Sequence, residues 1–147
     1  MITPAPTGKI DPATARGTLA EAVAATATKP AFIKVNFPNT SYETHFIPAG
    51  PITAEPGKRI LGKIHAKARR IDTVQTGGRY VEPVYGRPRR VQGSVIGVDS
   101  ASNSVIVDAT IPIHLSPTDP RQKAADFQPG QFVSCDVLDG ATFTEAM

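Results

Sequence analysis

The sequence predicts a mainly β protein: a small β-barrel of about five strands and one short helical turn, preceded by an N-terminal helix and a β-hairpin. Three observations lead there. Apolar and polar residues alternate with period two over several long stretches, which is the signature of half-buried strands. Fourteen prolines and twelve glycines punctuate 147 residues, favouring short elements joined by turns over long helices. Tryptophan is absent and aromatics make up 6% of the chain, so the core has to be built from Val, Ile, Leu and Ala. At 40% apolar and 20% charged, the composition excludes wholesale disorder.

Residues 12–28 read as the helix. Asp11 suits an N-cap and Pro12 the first helical position, where a missing N–H costs nothing. Leu19, Val23 and Ala27 form a stripe at i, i+4, i+8, and Pro30 ends the run. Gly17 weakens the interior, so a helix here needs something to dock on. The hairpin follows over 31–47. Ala31, Ile33, Val35 and Phe37 share one face, and "YETHFI" returns after the turn signal "PNTS". Residues 48–57, "PAGPITAEPG", read as a Pro/Gly linker. The expected division is therefore an arm over 1–57 and a barrel domain over 58–147.

From Lys58 onward the β pattern strengthens. Ile60, Gly62, Ile64, Ala66 and Ala68 share the inward face of one strand, and Leu61, Lys63, His65, Lys67 and Arg69 share the other. Small inward residues allow a strand to bend across a neighbouring sheet, as small barrels require. "VQGSVIGVD" (91–99) and "SVIVDATIPIHL" (104–115) flank the polar turn "SASN". In the second of these, Val105, Val107, Ala109, Ile111, Ile113 and Leu115 keep one phase, predicting a single long strand. Ser116 and Asp119 around Pro117 read as a capping box opening a short helix. "QPGQ" (128–131) reads as a type II turn, leading into "FVSCDVL" with Val133, Cys135 and Val137 inward. This order of elements over 58–139 resembles an SH3-like or OB-like small barrel. The SH3-like order fits better, unless "ATFTE" near the C-terminus adds another strand. Such a likeness implies a fold type and no function.

The net charge of +3 conceals a segregation. Residues 58–90 hold ten Lys/Arg against two Asp/Glu, a net of +8, and the rest hold six against eleven, a net of −5. Lys63, Lys67 and Arg69 project from one face of one strand at a spacing of about 7 Å, close to the phosphate repeat of a nucleic-acid strand. Arg70, Arg79, Arg87, Arg89 and Arg90 add cations, and Tyr80 and Tyr85 add rings on which bases can stack. Two other readings of the same charges stand beside this one. They form a solvated face that guards a strand edge, or they meet the acidic surface of another subunit. The function expected is thus a non-enzymatic module that binds nucleic acid or another polyanion through 58–90. The alternative is a structural or assembly protein, a homo-oligomer included, whose arm and basic loop touch neighbours.

Other chemistries find little support. One cysteine leaves no internal disulfide and no cysteine-rich zinc site. His45, His65 and His114 lack metal-ligand spacing, and His114, opposite the apolar phase of its strand, is expected to face solvent or another chain. Cys135 sits on an inward phase and reads as core. The Asp residues fall at turns and caps, where they bond their own backbone. No catalytic residue, cofactor or metal site is expected. The start of the chain lacks the pattern of a signal peptide, and no run reaches the roughly 20 apolar residues of a membrane helix. A cytoplasmic protein with no membrane partner is the expectation.

Overall fold

The computed structural model describes residues 11–146. Its organising element is the strand with the clearest alternation in the sequence. Arg59–Ala68 (β4) buries Ile60, Gly62, Ile64, Ala66 and Ala68 and turns Lys63 and Lys67 outward, as the period-two pattern requires. Ten residues give it enough edge to serve three partners in succession. Its first part pairs with Ala15–Val23 (β1), its middle with Thr142–Glu145 (β12), and its last part, in parallel, with Pro112–Pro117 (β10).

A ring of five strands closes on itself through β4. β1 pairs with Phe32–Asn36 (β2), which pairs with Glu43–Pro48 (β3). β3 pairs with β12, β12 with β4, and β4 again with β1. The closed barrel therefore takes strands from both sides of residue 57. The hairpin expected over 31–47 is β2 and β3, joined at Phe37–Tyr42 through a left-handed Asn39 with φ of 63°. "ATFTE" supplies β12.

The helix expected over 12–28 does not form; β1 occupies its centre. Leu19, Val23 and Ala27 lie four apart, and a spacing of four fits a two-residue period as well as a helical stripe. Ala15, Gly17 and Leu19 are the buried positions, so period two prevails. Gly17 shows why. A Cβ there would lie 2.5 Å from the Asn36 carbonyl oxygen and 2.7 Å from Val35 Cγ1; the strand lies against β2 only because that atom is missing. β1 also gains two ladders, to β2 and β4, where an isolated helix gains none.

The rest of the sheet runs from the far half of β4 through β10 to Ser104–Asp108 (β9), Arg90–Asp99 (β8), Phe132–Asp136 (β11) and Asp72–Thr73 (β5). Tyr80–Glu82 (β6) lies along β8, and Tyr85–Gly86 (β7) along β3. Beyond β11 the chain returns to β4. Val137 bridges Ala68, the Arg69 N–H donates to the Asp136 carbonyl at 2.9 Å, and the Leu138 N–H donates to the Lys67 carbonyl at 2.8 Å. One hydrophobic core runs through both halves, from Leu19, Phe46 and Phe143 to Val95, Val107 and Val133.

Two further expectations are corrected. The run 104–115 is not one strand but the β9–β10 hairpin, turned at Ala109–Ile111 with Thr110 at φ 74°. Asp108 pairs with Pro112 across a three-residue loop, and an odd loop preserves phase, so all six apolar residues stay inward. The capping box expected at Ser116 and Asp119 opens no helix. Ser116 belongs to β10, and Asp119 Oδ1 accepts from the Arg121 N–H at 2.9 Å. Hydrogen bonds from Arg121 hold the Asp119 carboxyl down to about 2. The helical element comes later, a 3-10 turn at Ala124–Asp126 where Asp126 accepts from the Lys123 N–H at 3.0 Å. No described helix is long and apolar enough to cross a membrane.

Candidate functional site: an arginine cleft

The fold divides the ten residues singled out between 58 and 90. Four of them line one cleft of about 960 Å³: Arg69, Arg87, Arg89 and Arg90. Its walls are the β6–β7 segment (Glu82, Pro83, Val84), the run into β8, and the chain leaving β11 (Asp136–Asp139). Arg69 enters because the Ala68–Val137 bridge brings the end of β4 against that last wall. Arg89 is fixed by its backbone: its N–H donates to the Glu82 carbonyl at 2.8 Å, and its carbonyl accepts from the Val137 N–H at 2.9 Å.

Within the cleft the arginines differ in what they already hold. Arg87 pairs with Asp139 at 2.9 Å, with both side chains largely exposed. Arg90 pairs with Asp136 at 2.7 Å and donates a second bond to Ser134 Oγ at 2.7 Å. The Asp136 hydrogen bond, and after it one with Tyr80, pushes the Arg90 guanidinium pKa up. Arg69 and Arg89 have no carboxylate within ion-pairing distance among the described residues. Four arginines against Glu82, Asp136 and Asp139 leave the lining at 4 − 3, a net of +1. Rigid guanidinium forks of this kind match phosphate and sulfate oxygens.

The remaining six lie elsewhere. Lys63 and Lys67 stay on the outer face of β4, exposed, Lys67 two residues before Arg69. Arg70 folds onto Asp72 at 3.0 Å. Arg79 donates to Ser94 Oγ at 3.1 Å and lies 3.8 Å from Asp108. Tyr80 donates to Gln92 Oε1 at 3.2 Å. Tyr85 adjoins the cleft wall at Val84, and its ring packs edge-on to His45 at 4.9 Å, while Lys34 donates to its hydroxyl at 3.2 Å. The cations of 58–90 are thus one cleft and a set of individually neutralised or separate charges.

Glu82, Asp136, Val137 and Asp139 escaped prediction as site residues. Their sequence signals are those of turns and strand ends; only the return of the chain from β11 to β4 places the aspartates opposite arginines 46 and 52 positions away.

The histidines behave differently from expectation at one position. His114 is buried, 6% exposed, because the segment leading into β1 crosses its strand; its Nε2 lies 2.9 Å from the Ala13 carbonyl oxygen. His65, its register partner, stacks on it at 4.8 Å. His45 lies apart, between Phe32 and Tyr85. No group of three or more His, Cys, Asp or Glu able to hold a metal ion occurs among the described residues. Cys135 is buried, and burial pushes its thiol up to about 12, so it packs as a small apolar group. A smaller hollow of about 320 Å³ lies between Asp11–Arg16, Phe37–Asn39 and Thr110–Pro112. Compared with family models, curated proteins and solved structures, the chain matches none.

Proposed function

We propose that the protein is a cytoplasmic, non-enzymatic small-barrel module that binds nucleic acid or another polyanion in the arginine cleft. The observation that carries the reading is the pair Arg69 and Arg89, which have no carboxylate partner among the described residues and line the same cleft as two arginines held by aspartates. A guanidinium left in water is available to a phosphate, and neutralising phosphates releases counterions. Arg87 and Arg90, held by Asp139 and Asp136, shape the walls. Lys67, two residues before Arg69, adds an exposed cation on the outer face of β4.

The test is fluorescence anisotropy with labelled oligonucleotides over a salt series. Binding should weaken linearly in log–log form as salt rises. Replacing Arg69 and Arg89 together by Gln should shallow that slope by about 1.4 for a single strand, at about 0.7 per phosphate contact. Affinity that is absent at low salt, or indifferent to salt, overturns the reading.

A second reading, subunit or partner assembly, draws on Val84 and Tyr85, which are 50% and 58% exposed beside the cleft. In it the mixed charges of the cleft meet a neighbouring chain. A strict monomer in light scattering at high micromolar concentration would remove the homo-oligomer from it.

A further inference from the structure

We infer that the ligand of the arginine cleft is a single-stranded nucleic acid, with phosphates on Arg69 and Arg89 and a base on the Val84–Tyr85 ledge. The inference rests on the polyanion reading above and narrows it. Three observations carry it.

The first is the placement of apolar surface. Val84 lines the cleft and Tyr85 follows it in the chain, both more exposed than other large apolar side chains. Two such side chains beside arginines suit a partner that brings apolar faces together with anionic groups. Heparin and polyphosphate carry no such faces. A duplex carries them stacked inside. A single strand carries phosphates and uncovered bases alternately along its length.

The second is that the Tyr85 ring is held before any ligand arrives. Lys34 lies 5.8 Å from the ring centroid and donates to the hydroxyl at 3.2 Å. That ammonium is itself fixed by Glu21 at 3.1 Å. His45 packs edge-on at 4.9 Å and Phe32 stacks behind it at 5.1 Å. A ring buttressed in this way loses little freedom when a base settles on it.

The third is order along the chain. The ledge at 84–85 is followed by Arg87, Arg89 and Arg90, and β7 is tied to β3 while β8 is tied to β11. Val84, Arg87 and Arg89 lie in the short connections around β7, which are anchored where Tyr85–Gly86 pairs with β3, where Arg90 pairs with Asp136 and where the Arg89 backbone bonds Glu82 and Val137.

The experiment compares four fluorescent or competing probes on the full chain: a 15-residue oligothymidylate, a 15-residue oligouridylate, a hairpin duplex and inorganic polyphosphate. The single strands should bind at least about tenfold tighter than polyphosphate or duplex. Tyr85→Ala should remove that preference while leaving polyphosphate binding unchanged, and Tyr85→Phe, which keeps the ring, should retain it. Thermal melts show whether each variant is folded. The two single strands distinguish DNA from RNA as the source. If all probes bind alike and Tyr85→Ala changes nothing, or if the duplex binds best, the inference is overturned and the polyanion reading stands. If no probe binds, both fall.

Discussion

His65 and His114 lie against each other across the parallel β4–β10 pair, ring centroids 4.8 Å apart, and His114 reaches on to the Ala13 carbonyl at 2.9 Å. Two imidazoles in this arrangement join β4, β10 and the approach to β1, the three segments on which the barrel and the neighbouring sheet meet.

Acid should therefore loosen the protein through His65. Burial, then the neighbouring His114 and Lys63, lowers its pKa from the usual 6.5. As pH falls below that value the unfolded chain takes up a proton the folded protein resists, so stability is full above 6.5 and declines as pH falls toward the lower folded value. Melting temperature should drop between pH 7 and pH 5, and His65→Asn should flatten the drop. Equal slopes in both proteins would refute the coupling. His45, also lowered mainly by burial, should leave some of the slope in place.

Closure of the barrel can be tested at Gly62 and Phe143. Phe143 is fully buried, and a Cβ on Gly62 would run into its ring and the Thr144 carbonyl. Phe143→Ala should cost about 3–5 kcal/mol and Gly62→Ala about 1–3 kcal/mol in urea unfolding. Losses well below about 1 kcal/mol, the scale of ordinary surface changes, would mean that β12 does not close the ring.

Cys135 should be silent in the native state. With its thiol buried and pushed up to about 12, almost no thiolate exists at neutral pH. A disulfide-exchange reagent should label it only on unfolding, at a rate that follows the denaturation curve. Prompt labelling of the folded protein would place the thiol outside the core.

Within the cleft, Asp139→Asn should release Arg87. The pair is exposed on both sides, so stability should change by less than about 1 kcal/mol. The lining would rise from a net of +1 to +2, and polyanion affinity at low salt should tighten about threefold with a steeper salt dependence. Weaker binding would mean that Asp139 itself touches the ligand.

The elements legible in the sequence are those whose period belongs to one reading only. On β4 the strict alternation of Ile60, Gly62, Ile64, Ala66 and Ala68 with charged neighbours admits no helix, and the structure follows it residue by residue. The 31–47 hairpin and the inward Cys135 were legible for the same reason. Residues 12–28 were not, because Leu19, Val23 and Ala27 satisfy two periods at once and the β2 and β4 edges that decide between them lie elsewhere in the chain. His114 was misread similarly: alternation said that it leaves the apolar face, but not that the chain before β1 lies over it.

What the sequence by itself determined is local: alternation sets which side chains of a strand turn inward, Pro and Gly set where strands end, and the run 58–90 sets where the cations lie along the chain. Tertiary structure alone decided that β1, β2, β3, β12 and β4 form the closed ring, and that Asp136 and Asp139 neutralise Arg90 and Arg87 while Arg69 and Arg89 have no carboxylate partner among the described residues. The reason is physical. A strand's edge hydrogen bonds and a surface charge's counter-charge are supplied by whatever segment packing brings alongside, and no periodicity within ten residues specifies a partner fifty or eighty residues away.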